Sequence, residues 1–460
     1  MSSPALALQS TRARATQLIS SAPKLSTNIA WTEAGLPKLA QHMFSLMLRN
    51  VASDGFVFTD PSDSSKFSLP GCIIASPSYP SNTGGIDQDY VYNWTRDAAI
   101  TAIEIAAANI PAPQGAGVLP LIEYAAFART CQNNANAAQH FARASFTIEG
   151  QMRDWTDQND GPALQTIALL NAFGQLDGAT QSLVKTIINA NVNFLMSVYQ
   201  NPTTNLWEEH DGFSFFARSV QLRCFQAVKA NTLGIPVPAG IDNAIGFLQN
   251  ALAQHWINGR YQSLIPAPAG YDPNIDIVCA CIYGAVPCTD TKLLATAAQL
   301  RSQWADDGSP SLYPINVADR ARGIGPLLGR YPGDTYDGDM GDHIDGEHPW
   351  AVSTCNFAEL YYRLATQVAA SNKVPLDALS APFFAQIGVT AATSPRDAAV
   401  VLTDAGDSML QAVIFHSDHL ELSEQFDGDT GFEKSVKNLT WSYAAFLSSV
   451  RARTGQNVQG

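Results

Sequence analysis

Positive charge is scarce in this sequence. Lys and Arg number 27 against 41 Asp and Glu, which gives a formal net charge of −14 over 460 residues. A surplus of negative charge repels the phosphate backbones of nucleic acids and anionic lipid surfaces. Nucleic acids and membranes are therefore poor partners for this chain, and a neutral substrate is easier to accommodate.

Long hydrophobic runs are also missing. The longest covers about a dozen residues around 277–288, short of the roughly 18 that a transmembrane helix needs. Near the N-terminus the longest apolar run is Ala5 to Leu8, shorter than the core of a signal peptide. We therefore expect no membrane span and no signal peptide, which would place the protein in the cytoplasm if the chain is complete and outside the cell if a leader was removed.

Cysteine is sparse as well. Seven cysteines in 460 residues are too few for a disulfide scaffold, and an odd number cannot all pair. Cys279, Cys281 and Cys288 are close in sequence, but they lack the fourth ligand that a structural zinc site requires. The sequence predicts buried free thiols.

Helical periodicity dominates what the sequence does contain. Apolar residues recur at i, i+3, i+4 and i+7, for example at Phe213, Phe216, Ala217 and Val220. The pattern predicts about eleven helices, over residues 36–51, 95–108, 118–131, 162–174, 181–198, 213–228, 240–254, 293–304, 357–368, 394–414 and 439–450. Alternating strand patterns are few, so the predicted fold class is all-α.

Unusually long loops connect these helices. Five segments rich in Gly, Pro, Asp and Ser lie between them, at 55–90, 145–162, 199–212, 306–349 and 416–435. Ordered loops of this length usually carry function. The chain has no linker-like stretch and no repeat of about 34 or 40 residues, which argues against a common solenoid. Alternating short and long connections favour a closed ring of helical hairpins, with the long loops gathered at one end around a pocket.

One of these loops holds two adjacent carboxyl groups, Glu208 and Glu209, directly after Trp207. Nearby like charge and an apolar wall both raise the pKa of a carboxyl group, so that it can keep its proton near neutral pH. This is what a general acid needs. An exposed Glu pair in a turn is the alternative interpretation, unless partner residues occur elsewhere.

Aromatic residues beside Arg, Asp and Glu recur in three other places. They occur in YVYNWTRD at 90–97, in RYPGDTY at 330–336, and in SEQF followed by LTWSY within 423–443. The C–H faces of a sugar stack on aromatic rings, and its hydroxyls bind bidentate charged groups. Together these loops favour a sugar-binding pocket.

Six motifs resemble, in order, those of glucoamylases, the family 15 glycoside hydrolases. The similarity spans roughly residues 36–452. The motifs are Y-x-x-x-WTRD at 90–97, N-DGPAL at 159–164, NLWEE at 205–209, GRYPGDTY at 329–336, SEQF at 423–426 and LTWSYAA at 439–445. The resemblance implies an (α/α)6 barrel of six inner and six outer helices with the active site at one end.

The resemblance also implies a reaction. It is the inverting, exo-acting hydrolysis of terminal α-linked glucose, mainly α-1,4, from the non-reducing ends of malto-oligosaccharides or starch-type glucans, with release of β-glucose. Glu208 would be the general acid and Glu424 the general base that activates water. An inverting pair of this kind needs neither a metal nor an organic cofactor. The expected partner is the oligosaccharide or glucan itself, and we expect a monomer.

Carried over by motif, the binding residues surround this pair. Glu209 would contact the sugar on the leaving-group side, and Arg96, Asp97 and Arg330 would hold the hydroxyls of the terminal glucose. The aromatic walls would come from Tyr90, Trp94, Trp155, Trp207, Tyr336 and Trp441. Trp155 lies one residue closer to Asp160 than the usual family spacing.

The sequence departs from the family in two further places. Asn159 stands where Arg commonly precedes Asp-Gly-Pro, and the acidic segment 337–347 is longer than usual. We expect this segment to be a solvated lid, with Ca²⁺ binding as the alternative, because it lacks the EF-hand pattern. Residues 1–35 are expected to form an N-terminal extension that packs on a catalytic domain of residues 36–460. Two other functions stay open: hydrolysis of another α-glucoside, as in glucodextranases or trehalase-like enzymes, and sugar binding without catalysis.

Overall fold

The computed structural model describes residues 35–80, 88–112, 114–338 and 347–458. Within these ranges the chain forms fourteen α-helices. In order, α1 to α14 are Leu36–Leu48, Thr95–Ala107, Leu119–Ala137, Asp160–Ala172, Gly178–Val198, Phe215–Ala230, Ile241–Gln254, Asp276–Ile282, Thr291–Ala305, Pro314–Arg322, Ala351–Ser371, Ala381–Ala385, Pro395–His416 and Thr440–Thr454.

Six of these helices form a closed inner ring. Contacts run from α2 to α4, α6, α8, α11 and α14, and α14 returns to α2. The inner helices are buried on nearly all sides: eleven of the thirteen residues of α4 are buried. A helix that is apolar all round belongs inside a protein, because no face of it suits water.

Six further helices form an outer ring. α3, α5, α7, α9, α13 and α1 pack on α2, α4, α6, α8, α11 and α14 respectively. These helices bury one face, as the spacing of Ile241, Ala244, Leu248 and Ala251 along α7 illustrates. The two rings make an (α/α)6 barrel, which confirms the predicted fold class.

All eleven predicted helices are present, with ends that differ by a few residues. Three helices were not predicted, and one of them, α8, is an inner helix of only seven residues. Its apolar run is too short to display a helical period. A second, α10, lies in the segment 306–349, which the sequence analysis wrongly treated as loop throughout.

Short antiparallel strands fasten the long loops to one another. Among the described residues they are β1 to β11: Thr59–Asp60, Asp63–Phe67, Asn93–Trp94, Ser145–Phe146, Thr203–Thr204, Asp211–Ser214, Trp256–Ile257, Arg260–Tyr261, Leu264–Ile265, Gln425–Phe426 and Glu433–Lys434. β3 pairs with β4, β6 lies between β5 and β9, and β10 pairs with β11. The β3–β4 and β6–β9 pairings hold together loops that are far apart in sequence, and β10 and β11 form a local hairpin.

The inner helices all begin at the same end of the barrel, because an outer helix returns the chain between one inner helix and the next. Their N-terminal segments carry Trp94, Arg96, Trp350 and Trp441, which line one cavity. The N-terminus of a helix carries partial positive charge and favours nearby carboxylates. This end of the barrel is therefore suited to acidic side chains.

Some sequence predictions fall on residues that are not described. The predicted N-terminal extension, residues 1–35, lies outside the described residues except for Gly35. Most of the acidic segment, at 339–346, also lies outside them. Among the described residues no group of three or more His, Cys, Asp or Glu could hold a metal ion. All seven cysteines are free thiols, and all but Cys288 are buried.

One helix in the described part of the chain, α13, is long and apolar enough to cross a membrane by length and composition. Core helices of soluble proteins pass the same test. Here α13 packs along α11 and buries Leu402, Met409 and Val413 on one face.

Candidate active site

A cavity of about 520 Å³ opens at the N-terminal end of the inner ring. Its wall contains all twelve residues that the sequence analysis placed in the site, namely Tyr90, Trp94, Arg96, Asp97, Trp155, Trp207, Glu208, Glu209, Arg330, Tyr336, Glu424 and Trp441. The structure thus brings together residues that are more than 300 positions apart in the chain.

Glu208 lies in a tight loop between β5 and β6. Its backbone N–H donates to the carbonyl of Asn205 at 3.1 Å, and Asn205 Oδ1 accepts the N–H groups of Glu209 and His210 at 3.0 and 3.2 Å. The backbone of Glu208 has φ +65°, a left-handed conformation that non-glycine residues rarely adopt. Such strain is typical of functional positions, where the surrounding contacts maintain it.

Three donors surround the Glu208 carboxyl group. Arg96 Nη2 lies 3.3 Å from Oε1, and the indole nitrogens of Trp94 and Trp155 lie 3.4 and 2.5 Å from Oε2. Burial raises the pKa of Glu208, while the Arg96 charge and the two indole N–H groups oppose that rise. The net direction is upward, as a proton donor requires.

Glu424 is bound by hydroxyl groups instead. Tyr90 donates to Oε1 at 3.1 Å, Tyr336 donates to Oε2 at 3.0 Å, and Ser435 forms a short hydrogen bond with Oε2. Glu424 is only 3% exposed, and burial raises its pKa against the effect of these donors. Gly338 borders the same carboxyl group, and a Cβ at that glycine would overlap Ser435.

Arg96 connects the acids on one side of the cavity. Its Nη1 donates to Asp160 Oδ2 at 2.8 Å and to Gln158 Oε1 at 3.1 Å. Burial lowers the pKa of Arg96, but the charges of Asp160, Glu208 and Asp97 more than offset this effect. Burial also raises the pKa of Asp97 to about 7, despite the neighbouring Arg96 cation.

Arg330 and Glu209 form a second charged group. Arg330 Nη2 lies 2.8 Å from Glu209 Oε1, and Asp334 holds the same guanidinium through bonds of 2.7 and 2.6 Å. The hydroxyls of Tyr271 and Tyr331 donate to Glu209 at 2.7 and 3.0 Å. The carboxylate of Glu209 is therefore held in place by one guanidinium group and two tyrosine hydroxyl groups.

Aromatic rings line the rest of the cavity. The ring of Trp207 lies 6.1 Å from that of Trp441 and 5.6 Å from that of Trp350, and Tyr336 packs 5.5 Å from Trp350. Trp155 is the most exposed of these rings, at 40%, and marks the mouth. Rings at these positions can stack on the apolar faces of a sugar.

The sequence analysis missed several residues that this geometry brings in. They are Arg153, Tyr271, Tyr331, Asp334, Trp350 and Ser435. Trp350 could have been found, because it directly precedes an inner helix, as Trp94 does. Tyr271 and Ser435 lie in loops with no comparable motif, so only the folded chain indicates their positions.

Comparison with known proteins identifies the family of this chain. The model of the family described as glycosyl hydrolases family 15 matches residues 44–451. The chain belongs to glycoside hydrolase family 15. It is a glycoside hydrolase, and its family and fold support an activity on glucans.

Relatives within family 15 are glucoamylases of moderate identity. Glucoamylase 1 of Rhizopus oryzae is 27% identical over 445 residues, which cover 89% of this chain and 69% of that protein. The intracellular sporulation-specific glucoamylase of Saccharomyces cerevisiae is 25% identical, covering 93% and 86% of the two chains.

Solved structures support the same fold. The glucoamylase of Hormoconis resinae matches with a TM-score of 0.72 at 24% identity, covering 93% of this chain and 75% of that one. The glucoamylase of Saccharomycopsis fibuligera matches with a TM-score of 0.72 at 21% identity, covering 92% and 95%. At these identities the likeness establishes the family 15 barrel and leaves the substrate to the site itself.

Proposed function

We propose that this family 15 enzyme is an inverting, exo-acting α-glucosidase that removes single glucose units, mainly α-1,4-linked, from the non-reducing ends of malto-oligosaccharides or related glucans. The observation that carries the proposal is the pairing of two carboxyl groups, the half-buried Glu208 and the buried Glu424, in one cavity. Each has its own set of hydrogen-bond partners, with none in common.

The two environments suit opposite roles. In an inverting hydrolysis one carboxylic acid protonates the leaving oxygen, while the other deprotonates a water on the far side of the sugar. Burial raises the pKa of both carboxyl groups, so their positions and partners separate the two roles. Glu208 lies beside Trp155 at the mouth, where the leaving group departs and can take up a proton. Hydroxyl donors around Glu424 stabilise its ionised form, which a general base needs.

Exo action would follow from the closed end of the cavity. Arg96 and Arg330 are 5% and 3% exposed, and Asp97 is 8% exposed. Buried charged groups such as these lose hydrogen bonds when no sugar hydroxyl pairs with them, so they favour a terminal glucose that fills the pocket. Glu209 would meet the adjacent sugar on the leaving-group side.

The test is an NMR time course of maltotetraose hydrolysis that resolves the two anomers of glucose. Single displacement must turn an α-linkage into β-glucose, and exo action must release glucose and maltotriose in equal amounts before any maltose appears. Early α-glucose, or maltose formed before maltotriose, would overturn the proposal. Parallel rates on maltose, isomaltose and trehalose would identify the preferred bond, and the absence of any glucose from all substrates would favour sugar binding without catalysis.

A further inference from the structure

Arg153 lies on the cavity wall next to Trp155, outside all six motifs. Its guanidinium carbon is 4.1 Å from the ring centroid of Trp155, 4.2 Å from that of Tyr92 and 5.3 Å from that of Trp94. A guanidinium this close to three rings is held by cation–π contact and stacking.

The hydrogen bonding of Arg153 points the same way. Among the residues that the structure describes, the buried Nη1 of Arg153 has no hydrogen-bond partner. The nearby Asp89 interacts with Arg153 through charge alone, since no hydrogen bond joins the two side chains in the described residues. A buried donor without a partner is unfavourable, so the neighbouring rings must compensate. The aromatic rings are therefore the close contacts of the Arg153 guanidinium, and Asp89 adds a charge–charge attraction.

Trp155 needs such support. Its ring is 40% exposed, and its other aromatic neighbour in the described residues, Trp94, meets it edge-on at 6.2 Å. Its indole N–H nevertheless reaches Glu208 Oε2 at 2.5 Å. An exposed ring can hold a side-chain hydrogen bond of this kind only if another contact limits its rotation.

We propose that Arg153 is a positioning residue: by stacking on Trp155 it holds the indole N–H against the Glu208 carboxyl group and shapes the leaving-group wall. This inference rests on the proposed role of Glu208 as the acid. Arg153 acts through Trp155 and touches no reacting atom. A lysine would retain the charge but lose the planar stack, so it should replace Arg153 only in part.

A double-mutant cycle tests this dependence. The variants are Arg153→Met, Trp155→Phe and the double variant, assayed for kcat and KM on maltose. Phe keeps a ring at position 155 but has no N–H donor. In the wild-type background, Arg153→Met should lower kcat about 10-fold, which is within the range of a desolvated cation–π contact. In the Trp155→Phe background it should lower kcat less than 2-fold, because the N–H donor that Arg153 positions is already gone. Arg153→Lys should restore part of the lost kcat.

Lys292→Met is the matched control, because it removes a cation 5.4 Å from the ring of Trp256, outside the cavity. It should leave kcat and KM unchanged. Equal losses from Arg153→Met in both backgrounds, or no loss in either, would overturn the inference while the wild-type enzyme still releases glucose. A wild-type enzyme that releases no glucose would instead defeat the proposed function.

Discussion

Replacing Ser435 by alanine should change the pH profile of the enzyme in one direction only. Ser435 is 1% exposed, and its hydroxyl is bonded to Glu424 Oε2, which lowers the pKa of that carboxyl group. The backbone of Ser435 has φ +67°. Because Ser and Ala both carry a Cβ, the substitution leaves the backbone strain similar and isolates the hydroxyl.

The size of the effect follows from the lost bond. A hydrogen bond to a charged group contributes about 1.5–3 kcal/mol, and 1.36 kcal/mol corresponds to one pH unit. The base must be ionised to activate water, so the acid limb of the kcat/KM profile should move to higher pH by about 1–2 units. A water molecule that enters the vacated space would reduce the shift.

The assay measures kcat/KM on maltose between pH 3 and 8. The basic limb, which reports the general acid Glu208, should not move and serves as an internal reference. Ser449→Ala is the control variant, because it removes another buried serine hydroxyl, bonded to the Cys355 carbonyl at 2.7 Å, away from the cavity. An acid limb that stays in place in a folded Ser435→Ala enzyme would refute the role of Glu424 as the base.

Three further results are expected. Glu208→Gln and Glu424→Gln should each lower kcat by about 10²–10⁴-fold or more without unfolding the enzyme. Near-normal turnover in either variant would refute the role of that residue as general acid or general base. Glu209→Gln should act more on KM. EDTA should not abolish glucose release, since the proposed chemistry uses carboxyl groups alone, although Tm should fall if the acidic segment binds Ca²⁺. Burial raises the pKa of Asp276 from 3.8 to about 8. Between these two pH values the folded protein keeps a proton that the unfolded chain has lost. The free energy of unfolding therefore falls as the pH rises from about 4 to about 8. Asp276→Asn should make the fall in Tm across that range shallower, and an unchanged slope would contradict this reasoning.

The sequence predicted the barrel well because long helices carry a strong periodic signal. Eleven helices were evident from apolar spacing, and their outer or inner position follows from whether one face or all faces are apolar. The short inner helix Asp276–Ile282 was missed because seven buried residues give no period to detect. Its helical state depends on the neighbours that surround it, which a local pattern does not contain.

The same contrast applies to the site. Glu208, Arg96 and Arg330 stand in motifs, and the cavity contains all three. Ser435 and Arg153 have no motif, because their positions depend on contacts that form only in the folded chain. Ser435 reaches Glu424 through the pairing of Gln425–Phe426 with Glu433–Lys434, which returns the chain to the same carboxyl group. Such contacts follow from strand register and are not visible in composition.

The charges of the cavity connect the acidic composition to the proposed substrate. Five carboxyl groups line it, from Asp89, Asp97, Glu208, Glu209 and Glu424, against the three guanidinium groups of the arginines. With Glu208 protonated as the general acid and the pKa of Asp97 raised to about 7 by burial, the ionised carboxylates roughly balance the guanidinium groups, and such a lining accepts a neutral sugar. Glycoside hydrolysis passes through an oxocarbenium-like transition state, and the ionised carboxylate of Glu424 would stabilise the positive charge that develops on the sugar. Carboxyl groups in the pocket would thus lower the barrier to cleavage of a neutral glycan.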